Sequence, residues 1–183
     1  MSKKTKTERR DEAVRAERQR RVDRLYALSF AFLRVETAYE KFREEAAKLL
    51  DTGKTEEELA KLEQEVPQHI GRLANHPLIR SGSSIMVYFG LLYALVEAWK
   101  KWGHEHPAVD DLLKSPFVEE LKKYRHAVFH VNELTDPRIM QWTGQQDRVV
   151  WTKQLLVAFR VALLDWHDDL AQQNILIMPD DPT

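Results

Sequence analysis

Ile85-Met86-Val87-Tyr88-Phe89-Gly90-Leu91-Leu92-Tyr93-Ala94-Leu95-Val96-Glu97-Ala98-Trp99 is the longest apolar run of the chain, and the architecture follows from it. Apolar side chains fall on nearly every side of a helical repeat here, interrupted only by Gly90 and Glu97, so this helix has to be surrounded by others. The run falls short of the roughly 20 residues that a membrane span requires. With no apolar leader in the first residues either, the expectation is a soluble, cytoplasmic protein with no membrane part. Ser81-Gly82-Ser83-Ser84 reads as the cap of this helix, Lys100 and Lys101 suit its C-terminal end, and Gly103 reads as its stop, which places it from Ile85 to about Trp102.

Helical patterns continue on both sides. Upstream, from about Glu8 to Leu50, the residues Leu25, Leu28, Phe32, Val35, Tyr39, Phe42, Ala46 and Leu49 alternate spacings of three and four, the seam of a bundle helix. Asp51-Thr52-Gly53-Lys54 ends that helix, and Thr55-Glu56-Glu57-Glu58 is a capping-box start for another. Pro67, Gly71 and His76-Pro77 break the chain between Val66 and Ile79 into short pieces, where His69 and His76 read as surface or capping residues. Downstream, Ser115-Pro116 starts a helix whose core stripe is Phe117, Leu121, Tyr124, Val128 and Val131. The last helix, Val149 to about Gln172, carries Leu156, Phe159, Leu163, Trp166 and Leu170 on one stripe, widened by Leu155, Ala162 and Leu164. The fold expected is all-α: one domain, an up-and-down bundle of four to five main helices over residues 22–175, with a basic arm or helix extension at 1–21 and a tail at 176–183.

Composition narrows the chemistry. The 183 residues suit one domain with a real core, and the absence of cysteine removes disulfides, thiolate metal sites and a Cys nucleophile. Residues 1–21 hold nine basic and four acidic side chains, a local +5, while the remainder carries −6. A basic arm of this kind follows a phosphate backbone or is simply a solvated terminus. His104-Glu105-His106-Pro107 offers metal-ligand types, but nothing nearby completes a site, so a polar loop and no metal are expected.

The stretch with the most chemistry is Tyr124-Arg125-His126-Ala127-Val128-Phe129-His130-Val131-Asn132-Glu133. An arginine supplies a fixed cation for phosphate, and a histidine moves protons near neutral pH. With 15 arginines and 7 histidines in the chain, one fixed Arg-to-His spacing arises about 0.6 times by chance, so spacing alone says little. Arg160 and His167 form a similar pair, but an apolar Val161 follows that arginine. Arg125 is followed by polar His126, then Ala127-Val128-Phe129, then His130, just before a helix exit at Asn132, Glu133, Asp136 and Pro137.

On these residues, together with Leu121-Lys122-Lys123-Tyr124 before them, the chain resembles the HEPN superfamily (higher eukaryotes and prokaryotes nucleotide-binding domains). In its ribonuclease members an Arg, a polar residue, a short spacer and a His lie on a helix of a small all-α bundle. The resemblance implies a metal-independent endoribonuclease, with no cofactor, of the toxin or antiphage-defence kind. Arg125 and His130 would be catalytic, with His126 and Glu97 supporting them. It also implies an RNA substrate and leaves room for an antitoxin or regulatory partner. The alternative is a non-catalytic HEPN-like bundle that binds nucleotides or proteins.

At 100° per residue, Arg125 and His130 lie about 140° apart around the axis, so one straight helix does not aim both at one small target. The resemblance implies a homodimer through this motif helix, in which two copies form a composite cleft, with Val118 and Phe129 as the apolar seam. Lys122 on the polar side, and Arg138, Trp142 and Arg148 in the following irregular stretch, are of the types that grip phosphate and stack on bases. The same three residues would serve equally as a lid packed on the core. The histidine pair His126 and His130 has neither the intervening glutamate nor the third ligand of a zinc site.

Overall fold

The computed structural model of the chain describes residues 5–51, 77–129, 138, 139, 142 and 145–173. Among the described residues there are helices and no strands: α1 (Lys6–Asp51), α2 (Pro77–Trp102), α3 (Pro107–Leu112), α4 (Phe117–Phe129) and α5 (Gln146–Gln172). The molecule is an all-α bundle. The expected helix start at Thr55–Glu58, the residues His69 and His76, the exit at 132–137 and the tail at 176–183 lie outside the described residues.

α1 opens with a reciprocal cap, in which the Thr5 backbone N–H donates to Glu8 Oε2 at 2.6 Å and the Glu8 N–H to Thr5 Oγ1 at 3.3 Å. At 1.5 Å per residue its 46 residues extend roughly 70 Å. Residues 5–20 are exposed on all sides, and burial begins near Arg21. The described part of the basic segment, from Lys6 on, is thus a continuation of this helix. Within the bundle Leu25, Leu28, Phe32 and Val35 are buried as the seam spacing predicts. Glu45 is buried too, held by Arg80 of α2 at 2.7 Å and Lys48 at 3.1 Å. A carboxylate in that position needs such partners.

α2 is the central helix. Tyr88, Phe89, Leu92, Tyr93, Leu95, Val96 and Trp99 are all buried, against α1, against Tyr124 of α4 and against Phe159 of α5. Its start differs from the sequence reading: the helix begins at Pro77, where a proline needs no N–H partner, and runs through Ser81-Gly82-Ser83-Ser84 without a break. Ser81 and Ser84, one turn apart, are buried in the packed face instead of capping. The longer helix makes Arg80–Trp102 a 23-residue stretch, long and apolar enough to cross a membrane by length and composition alone, with a mean hydropathy of 1.3 over its most apolar window. The shorter run counted in the sequence missed this, and the packing of α2 inside the bundle is what its apolarity serves here.

Gly103 ends α2 in the left-handed region, φ 64°, where a side chain would be strained. Asp110 then ties the turn together: its carboxylate accepts the His106 backbone N–H at 2.8 Å and the Trp99 indole N–H at 3.3 Å. The six-residue α3 begins on Pro107 and was too short to show as a periodic pattern. α5 buries Leu155, Leu156, Phe159, Ala162, Leu163 and Leu170, but Leu164, read as core, is 58% exposed. It continues an outward stripe of Val157 and Val161, so the buried arc of α5 is narrower than the sequence implied. Tyr26, Phe30 and Leu33 form a comparable exposed stripe on α1.

Candidate functional site

α4 starts where Ser115 Oγ accepts the Phe117 backbone N–H at 3.2 Å, with Pro116 between them. Glu119 and Glu120 in its first turn suit the positive end of the helix dipole. Val118, Leu121, Tyr124 and Ala127 face the core, with Phe117 and Val128 half-buried beside them. This overturns the proposed seam in one respect: Val118 is 4% exposed, sealed three residues before Leu121 on the same face, so it has no surface to offer another copy. Phe129 is 58% exposed, and the edge of its ring rests on Gly90, where a Cβ would stand 2.5 Å from Cε2. A glycine is what lets the end of α4 approach α2 so closely.

Arg125 leaves this helix on the flank facing α2. Its Nη1 donates to Glu97 Oε2 at 2.6 Å, and its guanidinium carbon lies 5.5 Å from the centre of the Tyr93 ring. Tyr93 and Glu97 are one turn apart on α2, so together they make a socket with an aromatic wall and a carboxylate rim. The Arg125 side chain keeps 34% of its surface in solvent and that of Glu97 48%. Burial, then the charges of Glu97 and Glu119, push the Tyr93 phenol above its usual value, and Arg125 opposes them. A pair this exposed contributes at most about 1 kcal/mol to stability, so its main effect is to fix where the guanidinium sits. Glu97 thus stands against Arg125, while Tyr93, which no sequence pattern singled out, completes the socket.

Lys122 and His126 lie exposed on the outer side of α4, with Lys122 3.7 Å from Glu119. His130 lies outside the described residues, which end α4 at Phe129.

The other expected contact residues gather elsewhere. Arg148, at the start of α5, donates from Nε to Glu120 of α4 at 2.6 Å, and its guanidinium lies 5.8 Å from the Trp142 ring centre and 6.0 Å from that of Phe117. Glu120, Lys123, Arg138, Trp142 and Arg148 line a cavity of about 220 Å³. On the helix, Glu120 and Lys123 lie about 140° and 160° from Arg125, so this cavity and the Arg125 socket occupy opposite flanks of α4. Trp142 is not an exposed stacking platform: it is 2% exposed, edge-on to Phe89 and Trp151 and beside Tyr124. A large aromatic fills a core when neighbouring helices offer rings to pack on, and here three do. Its indole Nε1 is buried with no hydrogen-bond partner among the described residues. Lys123 and Glu120 were missed, because their place in the cavity depends on α5, far along the chain.

At the far end of α2, His104 packs against Trp99, Trp102 and Trp166, with ring centres 4.0 Å apart in the last case. Burial, with Arg24 and Arg21 adding to it, holds its imidazole below the usual pKa. His106 meets Asp165 of α5 at 3.2 Å. Among the described residues no three His, Asp or Glu side chains gather as a metal would need. Arg160 pairs with Glu36 of α1, and His167 lies 3.6 Å from Asp168. Arg160 is thus a surface residue that ties α5 to α1, and His167 an exposed residue of α5.

No family model, no curated protein and no solved structure matches this chain.

Proposed function

We propose that the chain is a metal-independent endoribonuclease of the HEPN type, with Arg125 and His130 as its catalytic pair. The observation that carries this reading is the Arg125 socket. A guanidinium held by Glu97 and Tyr93, yet one-third open to solvent, has the placement a phosphate-binding cation needs, and the helix bearing it carries Lys122 and His126 on its outer side. In the reaction, the ribose 2′-hydroxyl attacks the adjacent phosphorus and gives up its proton. A new O–P bond forms, the bond to the 5′-oxygen breaks, and that oxygen takes a proton. His130 performs one of these transfers, and Arg125 stabilises the charge growing on the non-bridging oxygens. His126 supports the proton work, and Glu97 acts by positioning Arg125. The products carry a 2′,3′-cyclic phosphate and a 5′-hydroxyl. The active form is a homodimer in which α4 of each copy contributes to one cleft, with Phe129 as the apolar contact. The protein works in the cytoplasm as a toxin or antiphage-defence effector, restrained by an antitoxin or regulatory partner.

The test is digestion of RNA and of matching DNA by the whole chain in EDTA. RNA is cut, DNA survives because it lacks the nucleophile, and His130→Ala abolishes the cutting. Intact RNA, or an undiminished His130→Ala rate, removes the assignment. A second reading draws on the same ion pair. Glu97 offsets the charge of Arg125, which favours a non-catalytic HEPN-like bundle that binds nucleotides or proteins, with the exposed apolar stripes of α1 and α5 as surface. That protein leaves RNA whole.

A further inference from the structure

The cavity on the α5 flank of α4 has a lining that calls for an anion. Among the described residues its lining brings together three cationic side chains, Lys123, Arg138 and Arg148, and one carboxylate, Glu120. Glu120 holds Arg148 by its Nε and the Phe117 and Trp142 rings lie alongside, so the guanidinium is fixed before any ligand arrives. At about 220 Å³ the space is below the roughly 300–1,000 Å³ of pockets that enclose whole small molecules. It suits a group rather than a cofactor.

We infer that this cavity holds one backbone phosphate of a single-stranded RNA, at a nucleotide other than the one being cleaved, with Lys123 and Arg138 at its mouth and Arg148 at its base. The inference rests on the reading of the chain as an RNA-acting protein, but not on cleavage. With Arg125 on one flank of α4 and the cavity on the other, a strand engaging both crosses the helix, whose width is about 10–12 Å. The cavity then sets the register of the strand over Arg125. Being a phosphate contact, it positions without reading sequence.

Binding of a short fluorescein-labelled oligouridylate to the whole chain tests this, measured by anisotropy at several salt concentrations in the His130→Ala background so that the strand stays intact. Lys123→Glu, on an exposed position, weakens binding about tenfold, and Lys123→Ala flattens the dependence of log K on log salt by roughly one phosphate contact. Arg138→Gln acts in the same direction. Lys101→Glu, at the far end of α2, stays within about twofold of the parent and controls for loss of general charge. The corresponding oligothymidylate shows the same sensitivity to Lys123→Glu, since the contact ignores the 2′-hydroxyl. Equal binding by Lys123→Glu and Lys101→Glu overturns the inference, as does a Lys123 effect confined to RNA. A chain that never cuts RNA but loses strand binding with Lys123→Glu keeps this site and loses the nuclease reading.

Discussion

Arg125 on α4 and Glu97 on α2, twenty-eight positions apart in the chain, meet at 2.6 Å with both side chains reaching solvent. Glu97 acts on the reaction through Arg125 and is a positioning residue. Replacing it with Gln therefore costs under about 1 kcal/mol of stability in urea unfolding, the scale of an exposed pair. RNA cleavage falls by about tenfold or more, and Arg125→Ala combined with Glu97→Gln is no slower than Arg125→Ala alone. Additive losses in that cycle would mean that Glu97 acts independently of the guanidinium.

Gly90 separates stability from function in another way. A Cβ there meets the Phe129 ring at 2.5 Å, and the far end of that exposed ring has room to swing away. Gly90→Ala also gains helix propensity, about 1 kcal/mol, which offsets the displacement. The variant unfolds within about 1 kcal/mol of the parent, while cleavage drops because Phe129 directly precedes His130. Unchanged cleavage with a shifted Phe129 ring, seen by NMR, would show that this contact does not govern the helix end.

Tyr124 is wholly buried, its hydroxyl has no hydrogen-bond partner among the described residues, and burial pushes the phenol far above its ordinary range. An unpaired buried hydroxyl costs about 1–3 kcal/mol, so Tyr124→Phe stabilises the fold by about 1 kcal/mol in denaturant titration. A loss of stability of that size would mean that the hydroxyl has an acceptor.

His104 makes the fold sensitive to acid. Its folded pKa lies below the usual 6.5, with burial the larger cause and Arg24 and Arg21 adding to it. Between the folded and unfolded values the unfolded chain binds the extra proton, so stability falls as pH drops from about 6.5 through the lower folded value. His104→Phe keeps an aromatic ring among Trp99, Trp102 and Trp166 and removes that proton. The loss of stability between pH 7.5 and pH 5.5 is smaller in the variant than in the parent, read from thermal midpoints; equal losses would assign the acid sensitivity elsewhere.

The bundle was readable because its helices carry their own spacing: Leu25, Leu28, Phe32 and Val35 repeat as they must to be buried, and they are. Boundaries were harder. Ser81-Gly82-Ser83-Ser84 has the composition of a cap, and only the neighbouring helix shows that its small residues serve packing. The Arg125–Glu97 pairing could be suspected, since a carboxylate on a central helix needs a partner, but Tyr93 looked like ordinary core. Val118 was misplaced, and Trp142 was left open between a stacking surface and a lid on the core, for one reason: a helical wheel or a turn composition gives a residue's direction, while its burial is set by elements distant in sequence. Lys123 entered the cavity beside Arg148 in the same way.

If Arg125 neutralises a phosphate during strand cleavage, the rate has to follow the guanidinium. Single-turnover cutting of RNA in EDTA by the parent, Arg125→Lys and Arg125→Ala is the decisive comparison. The prediction is a loss of at least about a hundredfold for Arg125→Ala, with a smaller loss for Arg125→Lys and 2′,3′-cyclic phosphate ends throughout. Parental rates in Arg125→Ala, or different product ends, would contradict it.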